Sequence, residues 1–170
     1  MDSTPSSSTV SRTVLLLLRV LTFVFLLIAL ILIAINKQTE DTSDGPTEAK
    51  FNDIHAYRYM ISTIVIGFAY NLLQMALSIF SVVSGNRVLS GDGGYLFDFF
   101  GDKIISYLLL SGSAAGFGAS EDLHTLFKSI DLPFNSFFEK ANASASLLLI
   151  GFLFTAIAST FTSFALPKKA

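Results

Sequence analysis

Four long apolar segments constrain the fold of this 170-residue chain more than any other feature. A helix needs about 20 mainly apolar residues to cross the ~30 Å hydrocarbon core of a bilayer. Segments of that length occupy residues 14–35, 59–83, 95–119 and 145–166. They predict an all-α, four-helix transmembrane bundle with a long, a short and again a long connection.

Composition supports a membrane protein with no separate soluble domain. Apolar residues make up 52% of the chain and charged residues 14%, against about 25% charged in soluble domains. The membrane domain would span residues 14–166, between short tails at 1–13 and 167–170. The first apolar run is longer than the core of a signal peptide, and no A-x-A-like cleavage site follows it, so a retained helix is expected.

Two charged residues of opposite sign, Arg19 and Asp102, lie inside the first and third apolar segments. A charge in hydrocarbon costs about 2.5–3.5 kcal/mol, so it normally faces a partner or a water-filled cavity. At ~1.5 Å per residue, Arg19 lies roughly 7–8 Å in from Val14, and Asp102 roughly 10 Å in from Tyr95. Helices one and three would run in the same direction, so the sequence predicts an intramembrane charge pair. The pair could fix helix packing, or it could belong to a proton or ion relay.

Polar residues in the second helix share one face. Asn71, Gln74 and Ser78 are spaced i, i+3 and i+7, as on one side of a helix. We expect this stripe to form hydrogen bonds within the bundle. A polar lining for a permeation path is the alternative.

Small residues in the third helix recur at four-residue spacing. Gly112 and Gly116 are four apart, and Ala115 lies between them. Small residues at this spacing let two helix backbones approach closely in lipid. They predict helix–helix packing, either within the bundle or at a subunit interface.

Basic residues beside the helix ends favour a cytoplasmic location for both termini. They occur in the N-terminal tail (Arg12), the second connection (Arg87) and the C-terminal tail (Lys168 and Lys169). The first and third connections, residues 36–58 and 121–144, are richer in acids and would face outward. The net charge of −2 gives no hint of nucleic-acid binding.

The sequence contains no pattern typical of a catalytic or cofactor site. There is no cysteine, and the two histidines, His55 and His124, show no metal-ligand spacing. No G-x-S-x-G motif or phosphate-binding loop occurs, so we expect neither enzymatic activity, nor a cofactor, nor a small-molecule substrate. The glycosylation sequon at Asn142 lies almost against the fourth helix, where the membrane would hinder modification.

The chain resembles the plant Casparian strip membrane-domain-like (CASP-like) family, four-helix membrane proteins related to the MARVEL-domain group. The resemblance runs from Arg12 to Lys168. It rests on an arginine in helix one with an aspartate in helix three, and on four stretches: Leu18-Arg19-Val20, Phe51-Asn52-Asp53, Tyr107 to Ala115, and Phe134-Asn135-Ser136-Phe137.

The resemblance implies a plasma-membrane protein with cytoplasmic termini that forms homo- or hetero-oligomers with related proteins among the membrane lipids. It further implies a non-enzymatic scaffold that organises membrane subdomains or cell-wall-modifying machinery. A small channel or transporter that uses the intramembrane polar residues is the alternative. The chain departs from the founding members by lacking cysteines near Phe137 and Phe138, which rules out a disulfide in that loop, and by having a polar first outer loop.

Overall fold

The computed structural model describes residues 7–42, 45–84, 92–129 and 134–164, which form four helices and one β-hairpin. This confirms the predicted all-α four-helix bundle. The helices are α1 (Ser7–Ala34), α2 (His55–Ser84), α3 (Asp92–Ser129) and α4 (Asn135–Phe164). The positions of Arg87, Lys168 and Lys169 lie outside the described residues.

Each helix packs on two neighbours. Helix α1 contacts α2 and α4, and α3 also contacts α2 and α4, so α1 and α3 lie diagonally opposite each other. The apolar core between them includes Leu26, Ile64, Leu109 and Leu148, all fully buried. Many large apolar side chains also remain on the outside, for example Ile104, which is 64% exposed. An apolar exterior around an apolar core is what a bundle surrounded by lipid requires.

Three of the described helices are long and apolar enough to cross a bilayer on length and composition alone: Thr13–Ala34, His55–Ser84 and Asn135–Ser163. Helix α3 is the longest, with 38 residues, but Asp98, Asp102 and Lys103 interrupt its apolar sequence. At ~1.5 Å per residue it is about 57 Å long, well beyond the ~30 Å hydrocarbon core. Its neighbours α2 and α4 cover one side of it.

The first long connection is folded rather than open. Strands β1 (Lys37–Thr42) and β2 (Gly45–Lys50) form an antiparallel hairpin, and a 3₁₀ turn at Phe51–Asp53 leads into α2. Gly45 has a φ of 113°, a conformation that glycine adopts at little cost. Glu48 and Lys50 form an exposed ion pair of 2.8 Å, and the hydrogen bond from Lys50 to this carboxylate raises the lysine pKa.

The third connection is much shorter than the sequence predicted. Residues 121–144 were expected to form an outer loop, but α3 continues to Ser129 and α4 begins at Asn135. The cause is an aromatic cap, which we define as Tyr57, Phe127, Phe134, Phe137 and Phe138. Apart from the half-buried Phe127, these rings are almost fully buried, and they pack edge to face or tilted with centroids 5.3–5.8 Å apart. Burial of this much aromatic surface stabilises the helical extensions.

Candidate functional site

Arg19 and Asp102 form a bidentate ion pair across the diagonal of the bundle. The two guanidinium Nη atoms of Arg19 each lie 3.1 Å from a different carboxylate oxygen of Asp102. Arg19 is 4% exposed and Asp102 is fully buried. The long arginine side chain thus joins α1 to α3, although the two helices pack mainly on α2 and α4.

Helix α2 adds neutral polar groups to this pair. The Tyr70 hydroxyl donates to Oδ1 of Asp102 at 2.9 Å, and the Gln74 amide donates to the Tyr70 oxygen at 2.9 Å and to Asp98 at 3.1 Å. The side-chain amide of Asn71 donates to the backbone carbonyl of Arg19 at 2.8 Å. We call these six residues the buried polar cluster: Arg19, Tyr70, Asn71, Gln74, Asp98 and Asp102.

Helical spacing explains how the cluster is assembled. Tyr70 and Gln74 are four residues apart on α2, and Asp98 and Asp102 are four apart on α3, so both pairs face each other across the interface. Gly101 makes room for the tyrosine, because a Cβ atom at this position would lie 2.5 Å from the Tyr70 hydroxyl oxygen. Sequence reasoning did not identify Tyr70 or Gly101 as site residues.

The cluster contains one cation and two carboxylates, and nearly all its buried polar atoms have partners. The exception is Nε of Arg19, which is buried without a hydrogen-bond partner in the described part of the chain. The described residues contain no group of three or more side chains that could hold a metal ion. Because Arg19 and Asp102 are each held by at least two hydrogen bonds, the arrangement is suited to fixing helices in register.

The predicted polar face of α2 divides into two parts. Asn71 and Gln74 are buried, at 5% and 2% exposure, and belong to the cluster. Ser78 is half-buried and makes no hydrogen bond to the cluster among the described residues. Two of the three predicted residues therefore form hydrogen bonds within the bundle.

The predicted small residues of α3 pack inside the bundle. A Cβ atom at Gly112 would collide with the Thr63 hydroxyl of α2, and one at Gly116 would collide with the Met60 sulfur and lie 3.1 Å from Cβ of Ala145. Ala115 is half-buried. Gly112 and Gly116 thus allow close approach of α3 to α2 and α4, and they are covered by those helices rather than open to another subunit.

The sequon at Asn142 lies within α4. Ser144, its third residue, is fully buried and donates to the backbone carbonyl of Ala29 at 2.8 Å. A sequon must reach its modifying enzyme on an accessible surface segment. The helical backbone of the sequon and the burial of Ser144 give a second reason to expect no modification.

A second group of polar contacts lies at the other end of α3, beside the aromatic cap. Tyr57 and Ser120 share a hydrogen bond of 2.8 Å between α2 and α3. The backbone N–H of Phe137 donates to the Gln38 side chain at 2.8 Å, and the Phe137 carbonyl accepts from Asn36 at 2.9 Å. These contacts attach the hairpin to α4, and no pattern in the sequence predicted them.

Comparison with known proteins relates nearly the whole chain to one family. The model of the Casparian strip membrane protein domain matches residues 8–154. The chain is 80% identical to CASP-like protein 4D1 of Glycine max over 168 residues, which is 99% of this chain and 95% of that protein. It is 48% identical to CASP-like protein 4D1 of Ricinus communis over 97% of this chain and 98% of that protein. It is 44% identical to CASP-like protein 4D2 of Arabidopsis thaliana over 97% of this chain and 97% of that protein. No solved structure matches the chain.

Proposed function

Because this chain belongs to the Casparian strip membrane protein domain family, we propose that it is a non-enzymatic plasma-membrane scaffold that associates with copies of itself or with relatives. In this proposal it organises a membrane subdomain or cell-wall-modifying machinery. Its partners are membrane lipids and other four-helix proteins of its kind.

The buried polar cluster is the observation that carries this proposal. The bidentate contact between Arg19 and Asp102 leaves neither charge free to bind a transported ion, and Tyr70 occupies a further acceptor position of the carboxylate. Buried charges with this many fixed partners hold a structure in one arrangement. We therefore assign the cluster to fold maintenance.

A channel or transporter would use the same residues differently. A permeation path needs polar groups that face water along the length of the bundle. Here the amide of Asn71 is bound to the α1 backbone and that of Gln74 to Tyr70 and Asp98. Apolar core residues such as Leu26 and Leu109 are fully buried between the helices. The contacts favour the scaffold over this alternative.

The proposed orientation places both termini in the cytoplasm and the hairpin and aromatic cap outside the cell. An even number of crossings brings the two ends of the chain to the same side. The hairpin carries Glu40, Asp41 and Glu48. In the sequence, basic residues stand beside the apolar segments in the two tails and in the second connection. Lysine and arginine beside helix ends favour the cytoplasmic face.

Association within the membrane is supported by an outward-facing pair of small residues on α3. Ala114 and Gly118 are four apart and exposed, and a Cβ atom at Gly118 would meet no atom within 4 Å. Small residues at this spacing let a helix of another subunit approach closely. Gly112 and Gly116 are covered by α2 and α4, so they are not available for this contact.

Lateral mobility at the plasma membrane tests the proposal. The tagged protein at low expression should show slow or absent recovery after photobleaching, in defined patches. The double variant Ala114→Leu with Gly118→Leu should recover faster, because the larger side chains prevent close approach. Ile104→Leu, at another exposed α3 position, is the matched control and should behave as wild type. Fast, uniform recovery of the wild-type protein would contradict the scaffold.

A further inference from the structure

An open groove of about 370 Å³ runs between α3 and α4 on the outside of the bundle. Helix α3 lines it with Lys103, and α4 lines it with Phe152, Ala156, Ser159 and Ser163. The groove faces the surroundings of the bundle rather than its core. In a membrane-spanning protein, this is where a lipid molecule would lie.

The α4 wall of the groove changes from polar to apolar along the helix. Ser159 and Ser163 lie in its last two turns, close to the end of α4 at Phe164. Phe152 lies 11 residues before Ser163, which at ~1.5 Å per residue is about 16 Å further along. A hydroxyl-bearing end and an apolar end at this separation match a phospholipid, with its polar headgroup and hydrocarbon chains.

Lys103 supplies a positive charge at this groove. Its ammonium lies 5.4 Å from the centre of the Phe99 ring, and it forms no ion pair within the described part of the chain. The neighbouring carboxylate, Asp102, is engaged by Arg19 and Tyr70. A lysine on a lipid-facing surface is stabilised by an anion, and basic pockets between membrane helices bind anionic headgroups.

We propose that this groove binds one anionic phospholipid. The phosphate lies against the Lys103 ammonium and accepts hydrogen bonds from the Ser159 and Ser163 hydroxyls, neither of which has a hydrogen-bond partner in the described residues. One acyl chain lies along Ala156 and Phe152. Charge complementarity selects the anionic lipid, and the apolar half of the groove holds it in place.

Native mass spectrometry of the full chain in mild detergent tests the site, with phosphatidylserine and phosphatidylcholine of identical acyl chains as probes. Wild-type protein should retain phosphatidylserine in preference to phosphatidylcholine. Lys103→Gln should weaken phosphatidylserine binding roughly fivefold, as expected for the loss of one basic residue at an anionic headgroup. Lys128→Gln, an exposed lysine at the other end of α3, is the matched control and should leave binding unchanged. Equal retention of the two lipids by the wild type, or equal loss in both variants, would overturn the proposal.

A second variant separates lipid binding from a folding defect and from self-association. Ala156→Phe keeps Lys103 but fills the apolar half of the groove, so it too should reduce retention of phosphatidylserine. Phosphatidylserine with a photoreactive acyl chain should cross-link to the peptide that contains Phe152 and Ala156 in the wild type. Cross-linking between protein copies through Thr160→Cys, in an otherwise cysteine-free chain, would mean that a second copy covers the groove and would refute the lipid site.

Discussion

Asn71 holds the backbone of Arg19: its side-chain amide donates to the Arg19 carbonyl at 2.8 Å. The same arginine extends its guanidinium to Asp102 on α3, so one residue of α1 is bound by both α2 and α3. A change at any of these positions should therefore affect the packing of three helices together.

Neutralising either member of the buried pair should strongly destabilise the fold. Arg19→Gln or Asp102→Asn leaves an unpaired buried charge, with an expected cost of about 3–5 kcal/mol. Both variants should show a lowered midpoint of thermal unfolding in detergent and reduced delivery to the cell surface. The charge-swapped double variant, Arg19→Asp with Asp102→Arg, should recover part of the lost thermal stability and surface delivery. Glu48→Gln, at the exposed ion pair with Lys50, is the control and should unfold like wild type, because solvent screens an exposed pair. Normal surface levels of both neutral single variants would contradict the role of the pair in packing.

Removing one hydroxyl from the cluster should have a smaller effect. Tyr70→Phe deletes the donor to Asp102 and the acceptor of Gln74, and a hydrogen bond to a charged group contributes about 1.5–3 kcal/mol. We expect a lower free energy of unfolding with an unchanged helical circular-dichroism spectrum. Tyr107→Phe, on an exposed α3 side chain, serves as the comparison and should unfold like wild type. If the two variants unfold alike, the Tyr70 hydroxyl contributes nothing measurable.

Adding a single methyl group to α3 should distinguish its inner glycines from its outer one. Gly112→Ala forces a Cβ atom against Thr63, and overpacking of this kind costs about 1–3 kcal/mol. Gly118→Ala meets no atom and should be neutral or stabilising, because alanine favours a helix over glycine. Thermal unfolding of the two variants gives the comparison. If Thr63→Ala restores the stability of Gly112→Ala, the clash lies between these two positions. Equal unfolding midpoints for Gly112→Ala and Gly118→Ala would argue against close packing of α3 on α2.

Glycosylation can report which side of the membrane carries the hairpin. Glu40→Asn creates an acceptor sequon with Asp41 and Thr42, and the proposed orientation predicts that it gains a glycan and migrates more slowly in electrophoresis. The shift should disappear after treatment with an endoglycosidase. Asn142→Gln should leave wild-type migration unchanged, since Ser144 is buried. The opposite orientation would follow if the hairpin sequon stayed unmodified while a sequon inserted in the N-terminal tail was modified.

The four-helix fold and the pair of Arg19 and Asp102 could be predicted from the sequence for a physical reason. Charged residues are rare in apolar segments because of their desolvation cost, so Arg19 and Asp102 stood out, and the structure brings them into contact. Tyr70 and Gly101 gave no such sign. A tyrosine is ordinary in a membrane helix, and a glycine shows its importance only when the side chain opposite it is known.

The connections were harder to predict because their signals are local and weak. Phe134, Phe137, Phe138 and Ala141 have the i, i+3, i+4 and i+7 spacing of a helix face, yet the surrounding acidic and polar residues suggested an exposed loop. The sequence of the first connection contains Asp44-Gly45, a common turn sequence, but the two strands beside it are polar on both faces. Its attachment depends on Gln38 and Asn36 meeting the Phe137 backbone, a long-range contact that no sequence pattern indicates.

The length of α3 has a mechanical consequence. Asp102 and Ser120 are 18 residues apart on one unbroken helix, which is about five turns, so their side chains point in the same direction roughly 27 Å from each other. Each is bound by a tyrosine hydroxyl of α2. Rotation of α3 about its own axis, or sliding along α2, would have to break both contacts at once. The α3 part of the aromatic cap, Phe127, therefore cannot turn independently of the charges buried toward the other end of the same helix.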